Sequence, residues 1–368
     1  MDRPRAAHGH RLARIFITAS ALAISLSASA AQETRGGAPA APEAGGSLAD
    51  APSDRSALLA RRYPTLRALV IARGDCVLFE HYRKGLDAAT RSPVHSVTKS
   101  VLSILVGVAI DKGYLRLDET LSEILLEASE AEVAPEARAI TVRDLLTKTE
   151  GFAEPWWTAP TAAMPATQMW RWMLYRPMKY PPGTHFNYDN VGTNLLSVVL
   201  SRAISGNEET FARETLFDAL HIENYAWASD AEGHLIGETD LFLTARDMAK
   251  IGLLYLQSGR WGDRQIVSPS YVRDSTAKHN DGGPPTNAAY GYLWWIDKTK
   301  SGADAFFAAG TGSQLLYVVP TLGVVVAVSA EKIPGGSQKF VNDLVLPAAL
   351  ATPASAPCVA RLGAAVGD

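Results

Sequence analysis

Cysteine is scarce in this chain, because only Cys76 and Cys358 occur among 368 residues. So few thiols exclude cysteine-rich metal sites and the disulfide-dense frameworks of small secreted domains. In an oxidising compartment the two cysteines can pair. Otherwise Cys76 is a buried thiol in a strand and Cys358 a free thiol in a loose tail. The sequence favours neither outcome, because geometry decides it.

The spacing that metal ligands need is also lacking. Eight histidines occur, and those outside the first 30 residues show no ligand-like pattern. We therefore predict no metal and no cofactor, and we expect His95 to be a packing residue. The histidines concerned are His81, His95, His185, His221, His234 and His279.

Neither sign of charge is in large excess. The formal net charge is -3, and no run of like charges or basic amphipathic stretch is present. A mildly acidic surface argues against a nucleic-acid partner. The expected partner is a small molecule.

Long apolar runs are missing apart from one near the N-terminus. Residues 15–26 are apolar, but about a dozen residues cannot span a bilayer as a helix. Arginines precede this run, and Ala28-Ser29-Ala30 follows with the pattern of a cleavage site. We predict a signal peptide over 1–30, a flexible leader over 31–54, and a periplasmic or secreted mature protein. Because 1–30 contains four arginines and one aspartate, the mature chain has a formal charge of -6 and no predicted membrane insertion.

One reactive pattern stands out. Ser96-Val97-Thr98-Lys99 opens a strongly apolar helix, predicted over 97–112 and stopped by Gly113. Positions i and i+3 share a helix face, so the Lys99 amine can reach the Ser96 hydroxyl. Free amides at the helix start can hold an oxyanion, and burial with the helix dipole lowers the pKa of the lysine. Ser96 is the candidate nucleophile and Lys99 a candidate base, although such pairs also arise by chance.

A second pattern, Tyr188-Asp189-Asn190, precedes an apolar helical run over 191–203. At a helix entrance Tyr188 can relay a proton, and Asn190 can orient the lysine and a substrate carbonyl. Taken alone, the pattern is more typical of a half-buried aromatic followed by a helix cap.

A third pattern, Gly310-Thr311-Gly312-Ser313, lies between predicted strands over 305–309 and 314–319. Glycines in such a place mark close backbone approach and leave a strand edge open to an extended substrate. The amide of Ser313 is then a candidate oxyanion donor beside that of Ser96. The alternative is a bulge or a plain turn.

In this order the three patterns resemble the motifs of the serine β-lactamase and penicillin-binding superfamily. Segments over 140–146, 181–188 and 243–249 also resemble its class C branch. Within that branch the chain is most similar to the esterase and aminohexanoate-dimer (nylon-oligomer) hydrolase group. That group tends to carry Gly-x-Gly-x-Gln, which Gly310, Gly312 and Gln314 match.

Two departures limit what the resemblance implies. Related β-lactamases and carboxypeptidases carry a cation before Thr-Gly, where this chain has Gly310. The anchor for a substrate carboxylate is therefore missing. Asp189 adds a negative charge in the second motif and would raise the pKa of Lys99 if it faced inward. Whether Lys99 or Tyr188 is the general base is left open.

The pattern of strands predicts an α+β fold of the β-lactamase type. A hairpin turned at Gly74-Asp75 and strands over 290–297, 305–309, 314–319 and 324–330 form one antiparallel sheet built from both chain ends. Helices flank it, including one over 336–350, and a mainly helical domain is inserted. We assign 55–113 and 281–352 to the sheet domain, 114–280 to the helical domain and 353–368 to a C-terminal tail.

These observations predict an exported serine hydrolase that cleaves small esters or amides through a Ser96 acyl-enzyme. Lys99 and Tyr188 move the protons, while Asn190 and residues 310–313 bind the substrate and its oxyanion. A true β-lactamase or D-Ala carboxypeptidase is the alternative among enzymes. A penicillin-binding-like receptor that binds or acylates without turnover is the alternative of another class.

Overall fold

The computed structural model describes residues 52–153 and 169–363. The predicted signal peptide and most of the predicted leader lie outside these residues. The last three residues of that leader, 52–54, belong to the first helix. Among the described residues no helix is both long enough and apolar enough to cross a membrane.

Helices occur along the whole described chain, and most of them are short. The apolar run after Ser96 forms the longest, α2, which ends where Gly113 follows with φ 76°. The helices are α1 (Pro52–Arg62), α2 (Val97–Asp111), α3 (Leu121–Ile124), α4 (Pro135–Arg138), α5 (Val142–Thr147), α6 (Met169–Leu174), α7 (Val191–Ile204), α8 (Glu208–Ala212), α9 (Ala245–Leu256), α10 (Pro269–Ser275), α11 (Ser337–Phe340) and α12 (Leu346–Ala351). A π-helical turn over Val341–Val345 joins α11 to α12, at the position of the predicted last helix.

Strands come mainly from the two ends of the chain. They are β1 (Leu66–Arg73), β2 (Cys76–Tyr82), β3 (Ser92–Pro93), β4 (Ala226–Trp227), β5 (Leu241–Leu243), β6 (Arg260–Trp261), β7 (Arg264–Gln265), β8 (Asn280–Gly283), β9 (Ala288–Tyr290), β10 (Trp295–Lys298), β11 (Asp304–Gly310), β12 (Gln314–Val319), β13 (Val324–Ala330) and β14 (Ala360–Arg361). Nine of them form one sheet in the order β14-β2-β1-β13-β12-β11-β10-β9-β8. The predicted fold class is thus confirmed.

Both faces of the sheet are covered by helices. A Cβ on Gly252 of α9 would lie 2.6 Å from Val325 and 2.8 Å from Leu316, so α9 packs directly on the sheet. The next residue along each strand, Val326 in β13 and Tyr317 in β12, faces the opposite side of the sheet, and the two residues pair with each other. On that side the Tyr317 hydroxyl contacts the segment that joins α11 to α12. Because both faces are covered, β12 and β13 are buried along their whole length, and they are apolar apart from Gln314 and Ser329.

One predicted strand is wrong. The segment over 290–297 is not continuous, because β9 and β10 form a hairpin in which Tyr290 pairs with Trp295. Leu293 adopts φ 59° in the turn, and its amide and carbonyl groups bond to Leu146 and to Ser100 of α2. These tertiary hydrogen bonds stabilise a turn that an apolar run does not predict.

The C-terminal segment is attached to the outer edge of the sheet. Cys76 and Cys358 form a disulfide, which settles the question left open by the sequence. β14 pairs with β2 beside it, and the Val359 amide donates to the Val77 carbonyl at 2.8 Å. Part of the predicted tail is therefore an ordered strand.

Candidate active site

The predicted nucleophile and base are in contact. Ser96 precedes α2 and keeps a partly exposed side chain, whereas Lys99, one turn later, is 1% exposed. Lys99 Nζ lies 3.1 Å from Ser96 Oγ, 2.9 Å from Asn190 Oδ1 and 3.0 Å from the Glu238 carbonyl oxygen. Two of these neighbours only accept hydrogen bonds, and the serine hydroxyl can also donate. A neutral amine matches them, because it has two N–H groups and one lone pair for the serine proton.

Burial is the main reason that the pKa of Lys99 falls to about 7. The Glu238 carboxylate opposes this shift, the Lys148 ammonium adds to it, and Asp189 opposes it weakly. Lys99 is therefore largely neutral above pH 7, as a base must be. The direction agrees with the sequence-based expectation, but that expectation did not include Lys148.

Tyr188 lies beside the predicted nucleophile and base. Its ring centroid lies 5.3 Å from Lys99 Nζ. The ring packs on Trp295, with centroids 5.2 Å apart. Burial raises the pKa of Tyr188 to about 12, against the opposing effect of the Ser96 hydroxyl. The phenol therefore keeps its proton at neutral pH.

Asp189 and Asn190 divide two roles between them. Asp189 Oδ1 accepts a hydrogen bond from the Gly192 amide at 2.9 Å and so caps α7. Asn190 makes no side-chain cap bond and contacts Lys99 instead. The interpretation of Asn190 as a plain helix cap is therefore wrong, because its neighbour satisfies the helix terminus.

Asp189 also belongs to a buried ion cluster, which we define as Lys148, Glu150, Arg176 and Asp189. Each of the four is at most 4% exposed. Lys148 Nζ lies 2.9 Å from Glu150 Oε1 and 3.5 Å from Asp189 Oδ1, and Arg176 Nη1 lies 2.9 Å from Asp189 Oδ2. Asp189 is thus paired within the cluster, and its charge still raises the pKa of Lys99, as the last and smallest of the causes that act on that amine.

Charges in the ion cluster are unequally balanced. Burial alone would lower the pKa of Lys148, but Glu150 and Asp189 raise it above its usual value. Burial raises the pKa of Glu150 to about 8, although Lys148 opposes this. Burial would raise that of Asp189, yet Lys148, the Gly192 amide and Arg176 lower it. Lys148 and Asp189 therefore both favour their charged forms. Asp189 directly follows Tyr188 in the chain.

Local backbone geometry places Lys148 in the interior. Thr141 and Asp144 form a capping box that starts α5, and the helix ends at Thr147. Lys148 follows in the left-handed region with φ 58°, and its carbonyl accepts from the Asn187 amide at 2.8 Å. No motif marks this cluster in the sequence, where its only signal is two charged residues, Lys148 and Glu150, just after a short helix.

Gly310 ends β11 beside the start of α2. A Cβ here would lie 2.4 Å from the Val94 carbonyl oxygen and 3.1 Å from the Ser96 nitrogen, which confirms the predicted close approach. Thr311, exposed, and Gly312 continue into the turn before β12. Ser313 has φ 68°, and its Oγ accepts from the Ile333 amide at 3.0 Å. The role of the Ser313 amide as an oxyanion donor stays a prediction.

Glu238 is a site residue that the sequence analysis missed. Its carbonyl oxygen contacts Lys99, and its amide donates to Asn194 Oδ1 at 3.0 Å. Asn194 Nδ2 in turn donates to Glu238 Oε1 at 3.2 Å. No motif marks this residue, because it reaches the site through a loop about 140 residues after Ser96.

Metal ligands do not gather anywhere in residues 52–153 and 169–363, where no three His, Cys, Asp or Glu side chains could hold an ion together.

Comparison with known proteins agrees with this fold. The model of the Beta-lactamase family matches residues 47–350. A 6-aminohexanoate-dimer hydrolase of Paenarthrobacter ureafaciens is 24% identical, with 72% of each chain covered. The structure of EstCE1, a hydrolase with promiscuous acyltransferase activity, matches with a TM-score of 0.65 at 16% identity, over 80% of this chain and 96% of that one. A penicillin-binding protein from Bacillus halodurans matches with a TM-score of 0.63 at 18% identity, over 79% and 98%.

Because the family model spans most of the sequence, this chain belongs to the beta-lactamase family of the serine β-lactamase and penicillin-binding superfamily. The resemblance inferred from the three motifs is thereby confirmed.

Proposed function

We propose that this protein is a serine hydrolase that cleaves small esters or amides through an acyl-enzyme on Ser96. The observation that carries the proposal is the pairing of the Ser96 hydroxyl with a buried Lys99 amine 3.1 Å away. The lowered pKa of that amine, about 7, supports its use as a base. The 6-aminohexanoate-dimer hydrolase and EstCE1, to which this chain is similar, act on amide and acyl groups by their names.

In the acylation step Lys99 accepts the Ser96 proton while Oγ attacks the substrate carbonyl carbon. The carbonyl oxygen becomes an oxyanion, which the Ser96 amide and an amide of the turn over 311–313 stabilise. As the tetrahedral intermediate collapses, the bond to the leaving group breaks. The Tyr188 phenol donates a proton to the leaving alcohol or amine and regains one from Lys99.

In the deacylation step water replaces the leaving group. Its proton passes to Lys99 as its oxygen attacks the acyl carbon, and the proton then returns to Ser96 Oγ when the acyl bond breaks. Asn190 holds Lys99 in place through both steps. Lys99 is thus the general base and Tyr188 a proton relay, since a phenol with a pKa of about 12 carries too little phenolate at neutral pH.

Substrates without a carboxylate suit this site best. Gly310 supplies no cation, and a charge-assisted hydrogen bond to a carboxylate is roughly twice as strong as a neutral one. A β-lactam or a D-Ala-terminated peptide therefore loses binding energy here, whereas an uncharged ester or short amide loses none. This argues for an esterase or amidase over a β-lactamase or carboxypeptidase.

One kinetic experiment tests the proposal. Wild-type protein, Ser96→Ala and the control Ser355→Ala, at an exposed serine far along the chain, are assayed with short-chain p-nitrophenyl esters, short linear amides and a chromogenic cephalosporin. We expect the wild type and Ser355→Ala to turn over, Ser96→Ala to be inactive, and kcat/KM to be higher for an ester than for the cephalosporin. Intact-mass measurement after rapid quenching should show one acyl group per chain. One equivalent of acylation without turnover would instead identify a receptor, and a cephalosporin cleaved faster than every ester would identify a β-lactamase.

Export is the second part of the proposal. The arginine-flanked apolar run over 15–26 and the Ala28-Ser29-Ala30 pattern support a signal peptide. The Cys76–Cys358 disulfide supports an oxidising compartment. Expression of the full chain in a bacterium followed by N-terminal sequencing should give Ala31 as the first residue of the exported protein. A chain that retains residues 1–30 in the cytoplasm would contradict export.

A further inference from the structure

A partly exposed negative charge lies beside the Ser96–Lys99 pair. Glu238 is partly exposed and lies against Lys99 through its own carbonyl oxygen. Its carboxylate acts on both Lys99 and Tyr188, because its charge raises the pKa of each. In the described part of the chain no lysine, arginine or histidine forms an ion pair with Glu238. Lys148 and Arg176, the nearby buried cations, are paired within the ion cluster.

The carboxylate is held in one place without being neutralised. Asn194 contacts Glu238 twice, accepting from its amide at 3.0 Å and donating to Oε1 at 3.2 Å. Oε2 has no hydrogen-bond partner among the described residues. A neutral amide thus fixes one carboxylate oxygen and leaves the other available, as a binding group requires.

Helix α7 shows that this carboxylate borders the same opening as the catalytic residues. From Val191 to Leu200 every residue is buried except Asn194. Asn194 lies one turn after Asn190, which contacts Lys99, so the two amides share a face of α7. Tyr188, Asn190, Asn194 and Glu238 are all partly exposed. They form a polar strip that continues outward from Ser96.

We propose that Glu238 is a specificity-determining residue that selects substrates bearing a cationic group, such as an ammonium, next to the bond cleaved at Ser96. The inference rests on the proposed function and adds the class of substrate to it. Gly310 and the Glu238 carboxylate both favour cationic over anionic substrates. Gly310 supplies no cation to bind a substrate anion, and Glu238 supplies a carboxylate that can bind a substrate cation.

Pairs of esters that differ in charge but not in shape test this. On the leaving-group side the pair is 3-(trimethylammonio)phenyl acetate and 3-tert-butylphenyl acetate. On the acyl side it is the 4-nitrophenyl esters of 4-(trimethylammonio)butanoate and 5,5-dimethylhexanoate. The variant is Glu238→Gln, whose amide oxygen can still accept from Asn194. The control is Asp240→Asn, which removes one charge two residues away at an exposed position whose φ of 64° asparagine also tolerates.

Rates are compared at roughly pH 8.5, above the Lys99 pKa of about 7, so that a change in that pKa does not enter. For each pair the quantity compared is kcat/KM for the cationic ester divided by kcat/KM for the neutral ester. In at least one pair we expect Glu238→Gln to reduce this ratio by about three- to tenfold. Asp240→Asn should leave the ratio within about twofold of wild type. An unchanged ratio in both pairs, or an equal loss for cationic and neutral esters, would overturn the proposal and leave Glu238 a residue that only positions Lys99.

A binding measurement separates this result from the proposed function. The same esters are titrated into Ser96→Ala and into Ser96→Ala with Glu238→Gln, and their Kd values are measured by ligand-observed NMR. A preference for the cation that the second variant loses would support the role of Glu238 even if the wild type cleaved no ester. No preference in Ser96→Ala would count against it even if the wild type were an active hydrolase.

Discussion

Lys99 and Lys148 are both enclosed by protein, both lie near Asp189, and yet their pKa values move in opposite directions. Lys99 is bonded to a hydroxyl, an amide oxygen and a carbonyl oxygen, whereas Lys148 contacts the Glu150 and Asp189 carboxylates. Burial disfavours the charged form of both amines. Only Lys148 has carboxylates close enough to outweigh it. The kind of oxygen that surrounds a buried amine therefore decides whether the amine favours its neutral or its charged form.

The difference predicts that the two lysines respond differently to substitution, and the largest effect belongs to Lys148. Lys148→Met leaves Asp189 and Glu150 with only Arg176 and should cost about 3–5 kcal/mol in the free energy of unfolding. Chemical denaturation measures this, with Lys84→Met as the control because Lys84 is exposed. A Lys148→Met protein as stable as wild type would contradict the conclusion that Lys148 is a structural cation.

Lys99→Ala should show the opposite pattern. We expect kcat for an ester to fall by a factor of about 10² or more, because the base is lost. The midpoint of unfolding should stay the same or rise, since the variant buries no amine. Tyr188→Phe should lower kcat to a similar extent. The variant with both substitutions should have a kcat only slightly below that of the less active single variant, because the two residues act as a unit. Strictly additive effects would mean that the two residues act independently.

Gly310 gives a smaller effect that concerns geometry instead of charge. The methyl group of Gly310→Ala would press against the Val94 carbonyl and the Ser96 amide. Displacement of that amide should lower kcat by about tenfold or more while KM changes little. Gly206→Ala is the control, because a Cβ there meets only an ordinary contact at 3.6 Å. Full activity in Gly310→Ala would mean that the Ser96 amide does not hold the oxyanion.

The smallest expected effect is a shift of the pH profile. Only the neutral amine accepts a proton, so kcat/KM for a neutral ester should fall about tenfold per pH unit below pH 7. Asp189 raises the pKa of Lys99 and Lys148 lowers it. Asp189→Asn should therefore move this acidic limb to lower pH, and Lys148→Met to higher pH. A profile flat from pH 5 to 8 would exclude Lys99 as the base.

The parts of the structure that the sequence predicted depend on neighbours along the chain. The extent of α2, the contact of Ser96 with Lys99 and the hairpin at Gly74 follow from local spacing and turn residues. The three site motifs could be recognised because their order and spacing are visible in the sequence itself and do not depend on how the chain packs.

The parts that were missed depend on distant partners. Lys148 acquires its role from Asp189, about forty residues later. Glu238 enters the site through a loop that no periodicity describes. The β9–β10 hairpin exists because Leu293 bonds to α2 and to α5, so its turn reflects tertiary contacts that override an apolar run.

The disulfide at the sheet edge has a consequence for how that edge is protected. β2 would otherwise present unpaired amide and carbonyl groups, which are a template for pairing with another chain. β14 covers part of that edge, and Cys358 anchors it covalently at Cys76. Arg361 adds an ion pair with Asp75 at 2.7 Å. The same bond closes residues 76–358 into a ring, so a single proteolytic cut within the ring leaves both pieces joined. The pairing and the covalent bond thus protect the chain against both edge-to-edge aggregation and loss of a fragment.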